Sequence, residues 1–360
     1  MTPYDALGVR SFWSPAVGKR DALDIDDLWV PKWPVGPGDR VVTFGSCFAQ
    51  HFGRALLERG YGWTNMEPGP VGLGPEAIQK FNYNVFSART GNIYTTNILR
   101  QWCDWATGRS APPDEIWEAE GRYYDPFRPA IEPNGFGSAL EMRESRELTI
   151  EAFGAAMRQA DVLVFTLGLT ESWRAAGQSH EYAICPGTAA GSFDPARHVF
   201  VNETYAGISA ALRDALATLR AVNPGLRVLL TVSPVPLTAT ASDNHVLVAT
   251  TYSKSVLRAV AGDVAADAPM VDYFPSYEII TAPAYGGRFF AANKRSVLPD
   301  GVAHVMEQFF QGQMARFGAP DEAEEAGAAA LPEGDGESDA QEGDDLVCEE
   351  ALLAAFGPRV

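Results

Sequence analysis

The chain has 360 residues, 46% of them hydrophobic, with 34 Gly, 25 Pro, 4 Cys and a formal net charge of −18. That length accommodates one large α/β domain with a tail. The acidic balance, with no basic stripe to neutralise phosphates, argues against nucleic acid as a partner, and no apolar run approaches the roughly 20 residues of a membrane span.

The start of the sequence lacks the basic-then-apolar pattern of a secretory signal. Cys47, Cys103, Cys185 and Cys348 are scattered without C-x-x-C spacing, which argues against a zinc ribbon or a disulfide framework. Free thiols fit a cytoplasmic location. No metal is predicted, because His180, His198 and His245 also lack ligand spacing.

Residues 1–37 carry Phe12, Trp13, Trp29 and Trp33 among several prolines, and read as an arm packing aromatics onto the domain. Short apolar runs at 40–44, 161–167, 226–232 and 269–273 suit strands buried on both faces of a parallel sheet. Helical periodicity covers 47–59, 149–159, 203–222, 250–267 and 300–317. The alternation predicts a doubly wound, flavodoxin-like three-layer α/β sandwich over 38–317, with a mainly parallel sheet. Ligands of such sheets sit beyond the carboxyl ends of the strands. Segments 108–138 and 174–200 lack clear periodicity and read as insertions that shape a site.

Residues 321–350 hold 13 acids and no Lys or Arg; setting these and Arg359 aside leaves −6 for residues 1–320. The stretch 318–346 is predicted to be a disordered acidic linker. Residues 347–360 read as a short C-terminal helix, whose apolar side (Leu352, Leu353, Phe356) could dock on the domain or on a partner protein.

The chemistry-bearing string is Gly45-Ser46-Cys47-Phe48-Ala49, between an apolar strand and a helix. A nucleophile at such a turn stands beside unpaired helix N–H groups, which stabilise a thiolate or an oxyanion. His51 lies four residues after Cys47 and shares its helix face, so it is the candidate base. His304 points away from the apolar stripe Val302, Val305, Met306, Phe309 and Phe310 and is expected in solvent, with Asp300 as N-cap of that helix. Lys254 is expected to be a surface or ion-pair residue. Arg89 has the fork for a ligand's anionic group, Gly91 and Asn92 could donate to an oxyanion, and Glu171 beside Trp173 suits sugar or amide recognition.

The string resembles the signature of the GSCFA family, placed among SGNH/GDSL hydrolase-like proteins. The stretches 86–95, 166–173, 233–237 and 252–258 look like the same family. The resemblance implies an SGNH-type sandwich and, aligned on the glycine of Gly-Asp-Ser, places Cys47 as nucleophile with Ser46 as the alternative. The family's late Asp-x-x-His corresponds to Asn293 and Ser296, so the usual acid–base pair is replaced. Gly168 and Thr170 stand where Gly-x-Asn supplies oxyanion donors, with Thr in place of Asn. The expected function is therefore an esterase or O-acyltransferase on an acylated carbohydrate, with acyl-CoA as donor in the transferase case. The alternative is a degenerate SGNH-fold binding or scaffold protein acting through its site or its tail.

Overall fold

The computed structural model describes residues 2–319 and 348–357. Its elements in chain order are β1 (Val41–Gly45), α1 (Phe48–Glu58), α2 (Pro75–Lys80), α3 (Thr96–Ala106), the hairpin β2 (Trp117–Ala119) and β3 (Arg122–Tyr124), and α4 (Ala139–Gln159). There follow β4 (Val162–Leu167), β5 (Glu171–Ala175), β6 (Glu181–Tyr182), β7 (His198–Asn202), α5 (Tyr205–Val222), β8 (Arg227–Val232), α6 (Val246–Asp267), β9 (Val271–Tyr273), α7 (Ser276–Thr281) and α8 (Pro299–Phe317).

The central sheet runs β1-β4-β8-β9 and is parallel throughout. Its strands are the four apolar runs of the sequence, almost wholly buried. Alternation of side chains across the pleat divides the core in two. Val42, Phe44, Leu163, Phe165, Val228 and Leu230 join the cluster built with α3, α4, α5 and α6. Val41, Val162, Val164 and Leu229 join the one built with α1, α7, α8 and the N-terminal arm. Helices thus cover both faces of the sheet, the three-layer sandwich expected.

The arm enters the second cluster through Trp29 and Trp33. Trp29 stacks on Phe309 at 5.3 Å and meets Phe274 edge-on at 5.0 Å. The Lys32 N–H donates to Asp272 at 2.9 Å and the Val35 N–H to Gln313 at 3.1 Å, so backbone as well as rings is tied down. Not all the arm's aromatics pack as expected: Trp13 is 72% exposed and Phe12 lies in solvent too.

Segment 174–200 is more regular than its composition suggested, since it completes the antiparallel sheet β6-β5-β7. Segment 108–138 contains the hairpin β2–β3. Helix α4 begins ten residues before the periodic stretch, where the Ser138 side chain accepts from the Glu141 N–H. Helix α3 is started by Thr95 accepting from the Ile98 N–H. In both, a side-chain cap rather than an apolar stripe sets the start. Asp300 falls within the first turn of α8, after Leu298 at the cap and Pro299 at the first position. The linker expected over 318–346 lies, from residue 320 on, outside the described residues. Among the described residues no helix is long and apolar enough to cross a membrane.

Because the indole of Trp29 bridges the arm to α8, Trp29→Ala is expected to cost about 3–5 kcal/mol. Urea unfolding of variant and wild type measures it; a loss below about 1 kcal/mol would show that the arm is merely draped over the domain.

Candidate functional site

β1 ends in a turn that only glycine can make. Gly45 has φ +127°, and a Cβ there would lie 2.6 Å from the Thr166 backbone nitrogen on the neighbouring strand. The Ser46 N–H donates to the Thr166 carbonyl at 3.0 Å, and the Ile93 N–H to the Gly45 carbonyl at 2.7 Å. These bonds fix the turn beyond the carboxyl ends of β1 and β4. Cys47 follows as the cap of α1 and is 5% exposed. Its N–H and the next begin the helix, where no preceding turn accepts them. The Ser46 hydroxyl is buried beside it without a hydrogen-bond partner among the described residues.

Against this elbow lies the chain's own C-terminus. Residues Glu349–Phe356 form a 3₁₀ helix, and Cys348 at its start shares a hydrogen bond with Cys47. That bond first, and burial next, raise the Cys47 thiol well above the ordinary range, with the charge of Glu350 adding to them. The Glu349 carboxylate accepts from the Asn92 N–H at 3.3 Å, from the Tyr94 hydroxyl at 2.9 Å and from the Asn92 side-chain amide. Gln50 donates to Asn92 Oδ1 at 3.2 Å, which turns the amide nitrogen toward the carboxylate. Gly91, at φ +66°, faces the same carboxylate: a Cβ there would stand 2.9 Å from Glu349 Oε1. The Glu350 carboxylate accepts from the Thr238 N–H at 2.7 Å and from Arg295 at 3.3 Å. The residues of the segment that are buried are Glu349 and Glu350, while Leu352 and Phe356 are 40% and 65% exposed. The segment docks by its acidic turn, not by the apolar side.

Beside the elbow opens a cavity of about 480 Å³, walled by Trp173, Phe193, Phe200 and Ile184, with Leu353 and Phe356 of the C-terminal segment on one side. Tyr94 and Glu350 line it too, so it is continuous with the elbow. Glu171 is its main polar group, accepting from Thr240 at 2.7 Å; burial raises its carboxyl above the usual range.

The elbow thus gathers Ser46, Cys47, Gly91 and Asn92, with Glu171 in the adjoining cavity. Other expectations are corrected. The His51 ring packs edge-on against Phe48, with no hydrogen bond to Cys47 among the described residues, and burial followed by the nearby Arg54 lowers it to about 4. Arg89 is buried and committed to Glu132 at 2.9 Å, the Phe81 carbonyl and the face of Tyr83, with its Nε buried and without a hydrogen-bond partner among the described residues. The Gly168 N–H donates to the Tyr94 carbonyl, and the Thr170 hydroxyl to Asn202, so neither faces the elbow as a donor. Asn293 and Ser296 close their own turn through a 2.9 Å side-chain bond and are partly or fully exposed. His304 is half-buried and stacks on Phe289 at 5.2 Å rather than standing in solvent.

Lys254, expected on the surface, is 1% exposed and donates to the Gly168 carbonyl at 2.7 Å. Burial lowers it to about 8, while the charges of Glu350 and Cys47 oppose the shift, which places it at the elbow. It shares the buried stripe of α6 with Leu257, Ala261 and Val264, at helical spacing. Tyr94 and Arg295 are the other site residues the sequence reading passed over; Arg295 lies between the two residues it did select.

A parallel three-layer α/β sandwich that presents a buried thiol at a glycine turn after its first strand defines the class. The model of the GSCFA family matches residues 40–309, and the chain belongs to that family. No curated protein and no solved structure matches the chain.

Burial raises the carboxyls of both Glu349 and Glu350 in the docked segment, against the partial relief that Asn92, Tyr94, Arg295, Lys254 and the Thr238 N–H provide. The docked state therefore holds protons that a solvated segment releases above its ordinary carboxyl range. Docking should be strongest in acid and weaken as pH rises through the raised values; loss of the Lys254 charge above about 8 acts in the same direction, while the Cys348 thiol, lowered to about 7 by its bond to Cys47, acts in the opposite one. Hydrogen–deuterium exchange over 349–356, corrected for intrinsic rates, is expected to show more protection at pH 5 than at pH 8. Greater protection at pH 8 would contradict it.

Proposed function

We propose that the protein is an SGNH-like ester-active enzyme, a hydrolase or O-acyltransferase on an acylated carbohydrate, with Cys47 as nucleophile. The observation that carries this reading is the donor set around Glu349. The Asn92 N–H, the Asn92 amide and the Tyr94 hydroxyl converge on a carboxylate next to the Cys47 elbow. That carboxylate stands in for the oxyanion of a tetrahedral intermediate, which needs the same kind of preorganised donors.

In the reaction proposed, the Cys47 thiolate attacks the ester carbonyl carbon and a C–S bond forms. The carbonyl π electrons move to the oxygen, held by Asn92, Tyr94 and the first N–H groups of α1. Collapse of the intermediate breaks the C–O bond of an ester, or the C–S bond to CoA when acyl-CoA is the donor; the departing alkoxide or CoA thiolate takes up the proton that the Cys47 thiol gave up, and an acyl-thioester remains. Water resolves it in a hydrolase and a sugar hydroxyl in a transferase, with acyl-CoA as donor in the latter case. Arg295 favours the thiolate through its charge. Lys254, whose ammonium interacts with Cys47, supports the thiolate in the place expected for His51. Trp173 and Phe200 offer the cavity flat faces for a sugar, and Glu171 a polar edge.

A second reading, a binding protein that has lost the chemistry, is favoured by the self-bonded Asn293–Ser296 turn, which leaves no late acid–base pair at the elbow. Turnover of acetylated sugars, nitrophenyl esters and acyl-CoA by the full chain separates the two. Cys47→Ala is expected to abolish turnover, and Asn92→Ala to lower it by about 10²–10³ as one oxyanion donor is lost. A Cys47→Ala variant as active as wild type, or no turnover of any of these substrates, sinks the enzyme reading.

A further inference from the structure

A buried carboxylate is costly unless opposite charge and hydrogen bonds meet it. Glu350 is 7% exposed, and three parts of the fold converge to meet it. The loop after β8 gives the Thr238 N–H at 2.7 Å, the turn before α8 gives Arg295 at 3.3 Å, and α6 brings the ammonium of Lys254 within electrostatic reach. Arg295 is braced by donating from Nε to the Pro236 carbonyl at 3.1 Å, which leaves its outer nitrogen for the carboxylate. Lys254 is anchored on the Gly168 carbonyl at 2.7 Å. Both cations are thus positioned by the domain itself, not by the C-terminal segment. The segment in turn holds the domain mainly through its two acids, which are its buried residues, while Leu352 and Phe356 are exposed and Leu353 is half-buried at the cavity wall. Take Glu350 away, and the domain is left with two like charges facing a common point beside the nucleophile.

We propose that Arg295, Lys254 and the Thr238 N–H form a seat for a carboxylate on the ligand, and that the C-terminal segment occupies this seat through Glu350 as the ligand's intramolecular competitor. The fate of the ligand rests on the ester-active reading of Cys47; its binding does not. The substrate class becomes an ester or thioester that also carries a carboxylate, on its acyl part or its sugar. Its carbonyl oxygen lies where Glu349 lies now, and its acid where Glu350 lies. Exchanging one carboxylate for another leaves the charge of the seat unchanged. The exchange also removes the Cys348 bond that, with burial, keeps the Cys47 thiol protonated.

The test is the rate at which iodoacetamide labels Cys47 in the full chain, mapped by mass spectrometry so that Cys348 is read separately. Labelling is expected to be faster in Glu349→Gln/Glu350→Gln by about tenfold or more, the thiolate gained from one pK unit; equal rates overturn the competitor. In that double variant glutarate is expected to slow labelling saturably. Arg295→Gln in the same background should weaken this protection about tenfold or more, as loss of a charge-assisted bond does. Arg295→Lys, which retains the charge, should keep part of it and serves if the Gln variant does not fold. Protection by inorganic phosphate equal to that by glutarate, or glutarate protection untouched by both Arg295 changes, overturns the carboxylate seat. Glutarate protection without any ester turnover sinks the ester reading alone. Ester turnover that glutarate does not inhibit sinks the seat alone.

Discussion

At the end of β1 the backbone of Gly45 presses on that of Thr166, with no room for even a methyl group between them. A left-handed conformation at that point is open to glycine and closed to nearly everything else. The contact lets two adjacent parallel strands stay paired to their ends while the first turns sharply into α1. It sets where Ser46 and Cys47 stand, and through the Ile93 N–H it also sets the loop that carries Asn92 and Tyr94. The donors and the thiol are therefore referenced to the same two strands, not to separate loops. Such shared reference is what holds a constellation to the tolerance that chemistry demands.

Electrostatics at the elbow are governed by who supplies the negative charge. The domain contributes Lys254, which is buried, and Arg295, which is half-buried. The C-terminal segment contributes Glu349, Glu350 and the thiol of Cys348. With the segment in place Glu350 meets the two cations, Glu349 meets the donors of Asn92 and Tyr94, and the thiol of Cys47 is held protonated. A low-dielectric site magnifies both states, since the same surroundings that make a paired charge strong make an unpaired one expensive.

The fold was legible because its strands are short apolar runs between helices, a pattern with few other solutions. The elbow was legible because Gly45 to Ala49 combine a forced turn with a nucleophile. What escaped the sequence depends on pairing across distance. Arg89 has the look of a ligand-binding residue, but Glu132 and Tyr83 claim it. Lys254 has the look of a surface residue, but the Gly168 carbonyl anchors it inside, within reach of the charge of Glu350, 96 positions away. The C-terminal helix was read by its apolar side, since hydropathy is visible in a linear string. That its acids would be the buried part follows only from cations positioned elsewhere.

The tie between the arm and the final helix bears on how the chain is made. Trp29 and Val35 are satisfied by Phe309 and Gln313, so the smaller of the two main core clusters joins residues near the two ends of the domain. At about 5–20 residues per second, on the order of tens of seconds separate the synthesis of the two partners. For that interval the indoles of the arm and the face of the sheet that α1 covers lack the helix that completes their packing. The α3–α6 side of the sheet can close around β1, β4 and β8 while the ribosome is still working. The other side is completed only by the last helix of the domain, and the nascent chain is most exposed to misassociation before α8 emerges.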